Sequence, residues 1–307
     1  MPPIQEHINS SIVLLNTVWP QGEKGGTGFF YRHISDESLK TISEPGWVTI
    51  EGQYLVTAKH CFLSETPGTL LLPDKVVLRY VFPQQNGIPA KQLEVPIERK
   101  LLEQHLIFSR DPSVDIAAIR VTNLIASVEA PELAGFPLNL SFVPTHAFTR
   151  NNLPKHSKLI EVEATSRIVI IGYPEGYHDE HNLFPLSKSG SIASGWGMRF
   201  NDEPCFKVDV QLFPVSSGSP VISEPTNIVV KDGKIMTNTQ KDFLLLGVYL
   251  GEWQVPSKEE CTLVQDGIEK KVELNRRRSL GIGTACYADE IEKMILDPIS
   301  FEELKAL

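Results

Sequence analysis

The chain has 307 residues, which is enough for two β-barrels of ordinary size or for one large α/β domain. Its hydrophobic fraction of 41% and charged fraction of 22% are typical of a folded globular protein and argue against extensive disorder. A net charge of -9 argues against a nucleic-acid-binding surface, which needs an excess of Lys and Arg.

No apolar run approaches the roughly 20 residues that span a bilayer, so contact with a membrane is not predicted. Residues 1–9 lack the basic start and apolar core of a secretory signal, which predicts a cytoplasmic protein. The cysteines are widely spaced and form no CxxC pair, so we expect free thiols, no metal site and no cofactor. They are Cys61, Cys205, Cys261 and Cys286.

A first group of short runs rich in Val, Ile, Leu, Tyr and Phe predicts strands, because each run is too short for a typical helix. These runs are 11–17, 28–31, 54–57, 75–82, 92–97, 106–109 and 115–121. A segment rich in Pro, Asn and Ser follows and is interpreted as a linker.

A second group of predicted strands begins after this linker. Its members are 159–163, 167–172, 189–193, 205–210, 220–223, 243–250 and 280–285. Two groups of six or seven strands predict an all-β protein, built either as two barrels or as one pair of sandwich sheets.

The remaining segments are predicted as loops or helix. The polar stretches 226–242 and 252–279 are expected to be surface loops. Residues 288–296 are predicted to form a helix, because Ile291, Met294 and Ile295 share one face and Asp297-Pro298 ends it.

The strongest chemical signal is the segment 214–221, with the sequence PVSSGSPV. Apolar strands lead into and out of a tight turn of small residues that holds Ser217. A serine is a weak nucleophile at neutral pH and needs an adjacent base and donors for the oxyanion. We expect the backbone N–H groups of Val215 and Ser217 to be those donors.

Two further segments supply the partners that such a serine requires. His60 closely follows the predicted strand 54–57, and Asp115 opens the apolar strand 115–121. A partly buried carboxylate there can accept a hydrogen bond from one imidazole nitrogen while the other nitrogen takes the serine proton. The predicted triad is therefore His60, Asp115 and Ser217, in a cleft between the two groups of strands.

Four segments in this order resemble the landmarks of the trypsin-like serine peptidases. They are Gly26-Thr27-Gly28-Phe29-Phe30, Thr57-Ala58-Lys59-His60-Cys61, Asp115-Ile116-Ala117 and Ser216-Ser217-Gly218-Ser219-Pro220-Val221. The segments 171–176 and 190–194 are similar to bacterial members without signal peptides, and 281–285 resembles the last barrel strand of the Htr and glutamyl-endopeptidase branch. The resemblance extends from about residue 11 to 296.

The resemblance implies two six-stranded antiparallel β-barrels of the chymotrypsin type and a C-terminal helix. It divides the chain into a first barrel at 1–125, a linker at 126–157, a second barrel at 158–287 and a helix with its tail at 288–307. The implied activity is hydrolysis of peptide bonds in protein substrates through an acyl-enzyme. Bacterial relatives are often one component of a multi-protein system, so a protein activator is an open alternative, as is a catalytically silent binding module.

Two positions depart from the family pattern. Val215 stands where relatives carry glycine, and a β-branched residue resists the unusual φ of such turns, which puts the position of the oxyanion hole in question. Ser216 replaces the aspartate that pairs with a newly cut N-terminus in digestive relatives. Activation by that route is therefore not expected.

By position relative to Ser217, Gln211 is expected at the base of the specificity pocket, with Tyr249 and Gly251 on its wall. No carboxylate falls at the pocket base, so an uncharged or apolar side chain is expected before the cleaved bond. The segment 178–181 carries two His and two acidic residues but lacks HExxH spacing, and it is predicted as a solvated loop. The same holds for the basic run 276–278, for which a cleavage site or partner contact stays open.

Overall fold

We analysed a computed structural model, which describes residues 4–34, 52–66, 69–82, 91–121, 146–155, 160–231, 234–265 and 268–307. Most of the predicted linker at 126–157 lies outside these residues. In the described part of the chain, no helix is long and apolar enough to cross a membrane.

The first half of the chain is mainly β-structure with two short helices. Its elements are α1 (Ile4–Ser11), β1 (Ile12–Trp19), β2 (Gly22–His33), β3 (Gly52–Ala58), β4 (Ser64–Thr66), β5 (Thr69–Leu71), β6 (Lys75–Phe82), β7 (Lys91–Glu98), α2 (Arg99–His105), β8 (Leu106–Ser109), β9 (Ile116–Arg120) and β10 (Phe148–Thr149).

The second half continues with strands and ends in two helices. Its elements are β11 (Arg167–Gly172), β12 (Leu186–Ile192), β13 (Cys205–Asp209), β14 (Pro220–Ser223), β15 (Thr226–Lys231), β16 (Lys234–Asp242), β17 (Leu245–Gln265), β18 (Ile268–Tyr287), α3 (Asp289–Leu296), β19 (Pro298–Ile299) and α4 (Phe301–Ala306). The all-β class predicted from the sequence is confirmed.

Six strands of the second half form a closed barrel in the order β11-β12-β13-β18-β17-β14. Inward-facing apolar side chains fill it, as expected for a small barrel. They include Ile168, Phe206, Val221 and Leu246, all of them buried. This barrel is the second of the two that the resemblance implied.

The first half forms a nine-stranded sheet in the order β19-β8-β9-β3-β2-β1-β6-β7, with β10 added beside β2. Hydrogen bonds do not close this sheet in the residues that the structure describes. Helix α2 lies in the chain between β7 and β8 and packs against β6, β7 and β9. It therefore contacts strands near both edges of the open sheet. Leu102 of α2 is buried in the same apolar core as Leu55 of β3. The chain between β7 and β8 thus forms a helix, which the sequence analysis did not predict, and the first of the two implied barrels is observed as an open sheet.

The predicted loops 226–242 and 252–279 were wrong. Strands β15 and β16 form a two-stranded hairpin, and β17 pairs with β18 from Gly247↔Tyr287 to Gln265↔Ile268. The sequence carries Asp-Gly at 232–233 and again at 266–267, and this dipeptide is a strong signal for a two-residue hairpin connection. Counting polar residues concealed these signals, because the strands of a hairpin can also be rich in polar residues.

The C-terminal helix predicted at 288–296 is observed as α3. It buries Ile291, Met294 and Ile295 in an apolar core that also contains residues from both halves of the chain. Residues after α3 then return to the first half, where β19 pairs with β8 and Arg110 makes a two-pronged hydrogen bond to Asp297 at 3.0 and 3.1 Å. Helix α4 begins at a capping box formed by Ser300 and Glu303.

Candidate active site

His60 and Asp115 are brought together by the pairing of β3 with β9. The last residue of β3, Ala58, lies opposite Ile116, the first residue of β9, so the residues that flank these strands become neighbours. A 3₁₀ turn at Lys59–Cys61 then presents the imidazole. Its Nδ1–H donates to Asp115 Oδ2 at 2.6 Å, and the His60 backbone N–H donates to Oδ1 at 3.1 Å.

This pair has the geometry of a base and its orienting acid. Because an ionised carboxylate only accepts hydrogen bonds, the proton of the neutral imidazole resides on Nδ1, which leaves Nε2 free to accept another. The side chains of His60 and Asp115 are 46% and 31% exposed, so a substrate can reach the imidazole. The structure therefore brings together two of the three predicted triad residues in a hydrogen-bonded pair.

Ser217 lies in two successive tight turns between the barrel strands β13 and β14. The first turn places Pro214 and Val215 at its centre and closes with a bond from Ser216 N–H to Phe213 O at 3.4 Å. Val215 has a φ of +71°, and Gly218 in the second turn has a φ of +88°. A proline followed by a positive φ is the pattern of a type II turn, whose third position favours glycine. Val215 therefore occupies the strained conformation that the sequence had flagged.

The carbonyl groups of this turn are all tied to neighbouring backbone or side-chain donors. Pro214 O accepts from Glu175 N–H at 2.6 Å, and Ser216 O accepts from Ser219 N–H at 3.1 Å. Thr27 holds the other two, because its Oγ1–H donates to Val215 O at 3.0 Å and its N–H donates to Ser217 O at 2.9 Å.

In contrast to these carbonyl groups, the N–H groups of Val215 and Ser217 have no hydrogen-bond acceptor within the described part of the chain. The Pro214–Val215 peptide is trans, so the Val215 N–H points away from Glu175, to which the Pro214 carbonyl is bonded. Two fixed and unoccupied donors beside a serine hydroxyl can stabilise an oxyanion.

Gly218 is required by close packing as well as by its φ. A Cβ at this position would lie 2.0 Å from Thr27 O and 2.1 Å from Thr57 Oγ1. Thr57 donates to Thr27 O at 2.6 Å, so the loop of the second half is seated directly on β2 and β3. Thr27 and Glu175 thus position the serine turn, a role that their sequence context did not reveal.

The Ser217 hydroxyl donates to Leu250 O at 2.9 Å. Among the described residues, no hydrogen bond joins it to His60. Such catalytic hydrogen bonds are often absent without substrate and form in the Michaelis complex. The predicted nucleophile therefore lies beside Cys61, the neighbour of His60, but its hydroxyl is bonded to a backbone carbonyl.

The hydroxyl and thiol groups next to Ser217 do not provide a second nucleophile. The hydroxyl oxygens of Ser216 and Ser219 are buried and have no hydrogen-bond partner among the described residues. Cys61 lies with its Sγ 3.8 Å from Ser217 O, and burial raises the pKa of its thiol to about 12. That thiol stays protonated at neutral pH and does not compete as a nucleophile. The cysteines with described side chains, Cys61, Cys205 and Cys286, are free thiols.

The three predicted pocket residues lie around the serine turn in different environments. Gln211 is exposed, and its backbone carbonyl accepts from Lys188. Gly251 has a φ of +154° with open space where a Cβ would stand. Tyr249 is only 1% exposed and packs in the core of the second barrel, and burial raises the pKa of its hydroxyl.

The segment 178–181 folds into a hydrogen-bonded turn. Asp179 accepts from the backbone N–H groups of His181 and Asn182, and His178 Nδ1 lies 2.7 Å from Gly176 O. Among the described residues, no group of three His, Cys, Asp or Glu side chains is placed to hold a metal ion.

The sequence matches the family described as "Trypsin-like peptidase domain" over residues 26–230. No curated protein matches the sequence. Among solved structures, an HtrA-type protease, AlgW with a tripeptide, is 14% identical with a TM-score of 0.44, covering 96% of this chain and 64% of that one. A serine endoprotease from Yersinia pestis is 13% identical with a TM-score of 0.43, covering 95% and 65%.

A third structure, described as a scabies mite inactivated protease paralogue, is 14% identical with a TM-score of 0.44. It covers 95% of this chain and 98% of that one. The present chain thus spans slightly less than two thirds of AlgW and of the Yersinia pestis protease, and almost all of the mite protein.

Proposed function

Because the chain belongs to the family of trypsin-like peptidase domains, we propose that it is a serine endopeptidase that cleaves protein substrates through an acyl-enzyme. Ser217 is the nucleophile, His60 is the general base and Asp115 orients the imidazole. The observation that carries the proposal is the pairing of an exposed His–Asp couple with a serine turn whose two N–H groups have no acceptor. The proposed substrate is a protein or peptide in the cytoplasm.

In the first step, substrate binding turns the Ser217 hydroxyl from Leu250 O to His60 Nε2. The imidazole takes the proton as Oγ attacks the scissile carbonyl carbon, and Asp115 stabilises the imidazolium that forms. The developing oxyanion receives hydrogen bonds from the N–H groups of Val215 and Ser217. Losing one such donor typically lowers kcat by about 10²–10³-fold.

In the second step, the tetrahedral intermediate collapses and the peptide C–N bond breaks. His60 gives its proton to the leaving amine, which departs and leaves the acyl group on Ser217. Water then enters, His60 removes its proton, and hydrolysis restores the free serine. The two steps require no group beyond this chain and water.

A serine-reactive fluorophosphonate probe tests the proposal. Wild type is expected to be labelled covalently, and Ser217→Ala and His60→Ala are expected to lose the label. Ser219→Ala is the matched control, because this neighbouring serine is buried and is not placed in the chemistry. Absence of labelling in correctly folded wild type, with or without co-purifying protein, would falsify the peptidase proposal.

A second candidate is a module that stays silent until a protein activator reorganises the cleft. The bond from Ser217 Oγ to Leu250 O favours it, because the nucleophile is held away from its base. If the purified chain is labelled only after a co-purifying partner is added back, activation is required. Labelling at the same rate with and without that partner would exclude this candidate.

A further inference from the structure

A carboxylate reaches across the site from β17 to the segment that precedes the serine turn. Glu252 Oε1 accepts a hydrogen bond from the backbone N–H of Leu212 at 3.2 Å. Leu212 lies five residues before Ser217, and Glu252 lies two residues after Leu250, whose carbonyl accepts the Ser217 hydroxyl. The side chain thus connects the two walls that flank the nucleophile.

The face beside this carboxylate is formed by a glycine and an aromatic ring. Gly283 lies opposite Glu252 in the β17–β18 pairing, and residues opposite each other in antiparallel strands project to the same face. A Cβ on Gly283 would lie 2.5 Å from Cε2 of Tyr249, so the missing side chain leaves room for that ring. Tyr249 is fixed next to the nucleophile, since its carbonyl accepts from Gly218 N–H at 2.7 Å.

Both polar groups at this spot have unused hydrogen-bonding capacity. The Tyr249 hydroxyl is buried and has no partner among the described residues. A carboxylate offers about four acceptor positions, and Glu252 uses one of them for the Leu212 N–H. In the described part of the chain, no cationic side chain forms an ion pair with Glu252.

The two lysines attached to neighbouring elements are engaged elsewhere. Lys207 donates to Thr284 Oγ1 at 2.7 Å and lies over the rings of Phe200 and Trp253 at 4.6 and 5.2 Å. Lys188 donates to Gln211 O and lies 4.8 Å from the centre of the Phe213 ring. A half-buried carboxylate with one neutral donor favours a cationic partner.

We propose that Glu252 lines the specificity pocket and selects substrates with Lys or Arg before the cleaved bond. This inference rests on the proposed peptidase function. It replaces the expectation of an uncharged side chain, which considered only a carboxylate at the Gln211 position. The strand register brings Glu252 to the pocket from the opposite wall, and this placement could not be read from distance along the chain.

The first test is a panel of fluorogenic peptides that differ only in Arg, Lys, Gln, Ala or Phe before the cleaved bond. Wild type is expected to prefer Arg and Lys over Gln by about 10- to 100-fold in kcat/KM, the range for a hydrogen bond to a charged group. Glu252→Gln is expected to reduce the Arg-to-Gln ratio to about 1, because it keeps the shape and removes the charge. Glu224→Gln, an exposed carboxylate on the same barrel, is the matched control and should keep the wild-type ratio.

The second test is binding of benzamidine, a small aromatic cation, measured by calorimetry. Wild type and Glu224→Gln are expected to bind it, and Glu252→Gln is expected to bind at least about 10-fold more weakly. This measurement does not need a competent nucleophile. If fluorophosphonate labelling fails but benzamidine binding depends on Glu252, the pocket proposal stands and the peptidase proposal falls.

Three results would overturn the pocket proposal. One is a labelled wild-type enzyme that cleaves after Ala or Phe as well as after Arg, because Glu252 would then limit the depth of the pocket without selecting a positive charge. Another is a Glu252→Gln variant that keeps the preference for Arg and Lys. The third is benzamidine binding that is absent in wild type or equal in wild type and Glu252→Gln.

Discussion

At the scale of single residues, Val215 is the position where the sequence bears most directly on the proposed oxyanion hole. The sequence predicted that its N–H would stay available and that its β-branched side chain would resist the unusual φ of such a turn. Its N–H has no acceptor among the described residues, whereas its φ of +71° shows that Val215 adopts the unusual conformation despite that resistance. What the sequence did not contain is the hydrogen bond from Glu175 N–H to Pro214 O, which sets the peptide orientation through a loop 40 residues away.

Replacing Val215 by glycine is expected to stabilise the fold. The left-handed conformation costs an ordinary residue about 1–2 kcal/mol, and glycine removes that cost. Part of the gain is offset, because the Val215 side chain packs closely on Gly25, so we expect a net increase of about 1 kcal/mol in the free energy of unfolding. Urea unfolding measures the change, and fluorophosphonate labelling should be retained.

The control for Val215→Gly is Gly218→Ala, the opposite substitution in the adjacent turn. Its Cβ would collide with Thr27 O, so a loss of more than about 2 kcal/mol is expected. Equal effects of the two variants on stability would contradict the assignment of backbone strain to Val215.

Asp115→Asn is expected to lower kcat by about 10⁴-fold while leaving the fold intact, a size of effect known for the equivalent change in another serine protease triad. The amide can present a donor where His60 Nδ1–H needs an acceptor, so the imidazole is no longer held with Nε2 free. Single-turnover acylation measures the effect. Asp111→Asn is the control, because Asp111 binds Ser113 rather than the imidazole. A loss of less than about tenfold in Asp115→Asn would remove Asp115 from the triad.

At the scale of elements, the apolar runs correctly indicated most strands but not how they are interrupted. Strand β7, helix α2 and β8 together occupy a region that the sequence divided into two strands, and the eight residues between those predicted strands were left without a structure. Helix α2 is short, and Leu102 is its only buried residue, so it has too little apolar periodicity to be detected. The segments of the proposed triad carry a clearer local signal, because each combines a strand end with a specific polar residue.

Shortening the β17–β18 ribbon is expected to leave the barrel intact. From Gln254↔Ser279 onward, the described backbone of these strands pairs only with its partner, and an isolated two-stranded ribbon adds little stability. Replacing residues 256–277 by Asn-Gly should therefore change the free energy of unfolding by less than about 1 kcal/mol. Urea unfolding tests this, and a loss above about 3 kcal/mol would show that the ribbon supports the barrel.

Helix α3 is fixed to β2 by a titratable cluster. Tyr31 donates to Glu292 Oε1, and His33 Nδ1 lies 3.1 Å from Glu292 Oε2. Burial alone would raise the pKa of Glu292, but hydrogen bonds from His33 and Tyr31 and the charges of His33 and Arg150 outweigh it and hold that pKa below its ordinary value of 4.5.

A carboxyl group with a lowered pKa contributes stability above its ordinary pKa, and this contribution disappears as pH falls through the folded-state value. Wild type is therefore expected to be more stable than Glu292→Gln at pH 7, with the difference shrinking below about pH 4.5. Urea unfolding at pH 7, 5 and 3 measures it. Glu302→Gln, an exposed carboxylate of α4, is the control; a difference that grows on acidification would contradict this sign.

At the scale of the whole molecule, one apolar core joins the two halves. It contains Phe29 and Val56 from the first half, Ile222 and Val248 from the second, and Ile291 from α3. We therefore propose that the two barrel regions, at 1–125 and 158–287, unfold together even though each has a core of its own. The sequence predicted two groups of strands but not this shared core, because its members come from distant parts of the chain.

Ile291→Ala is expected to lower the free energy of unfolding by about 2–4 kcal/mol, since Ile291 is completely buried between the halves. Variants that retain only Trp19 or only Trp196 report separately on the first and second halves. Their fluorescence transitions in urea should coincide, with and without Ile291→Ala. Two separated transitions, only one of which shifts, would show that the halves are independent.

The ribbon formed by β17 and β18 also has a mechanical consequence. The strand that carries Glu252 is one of the two strands of this ribbon. From Glu252 to its end at Gln265 it extends for about 40 Å, given the rise per residue of a β-strand. The two strands of the ribbon are paired with each other, and this pairing has register shifts on both sides of Gly251 and Glu252. We expect a force applied to the ribbon near Gln265 to be transmitted along β17 to the contact between Glu252 and Leu212.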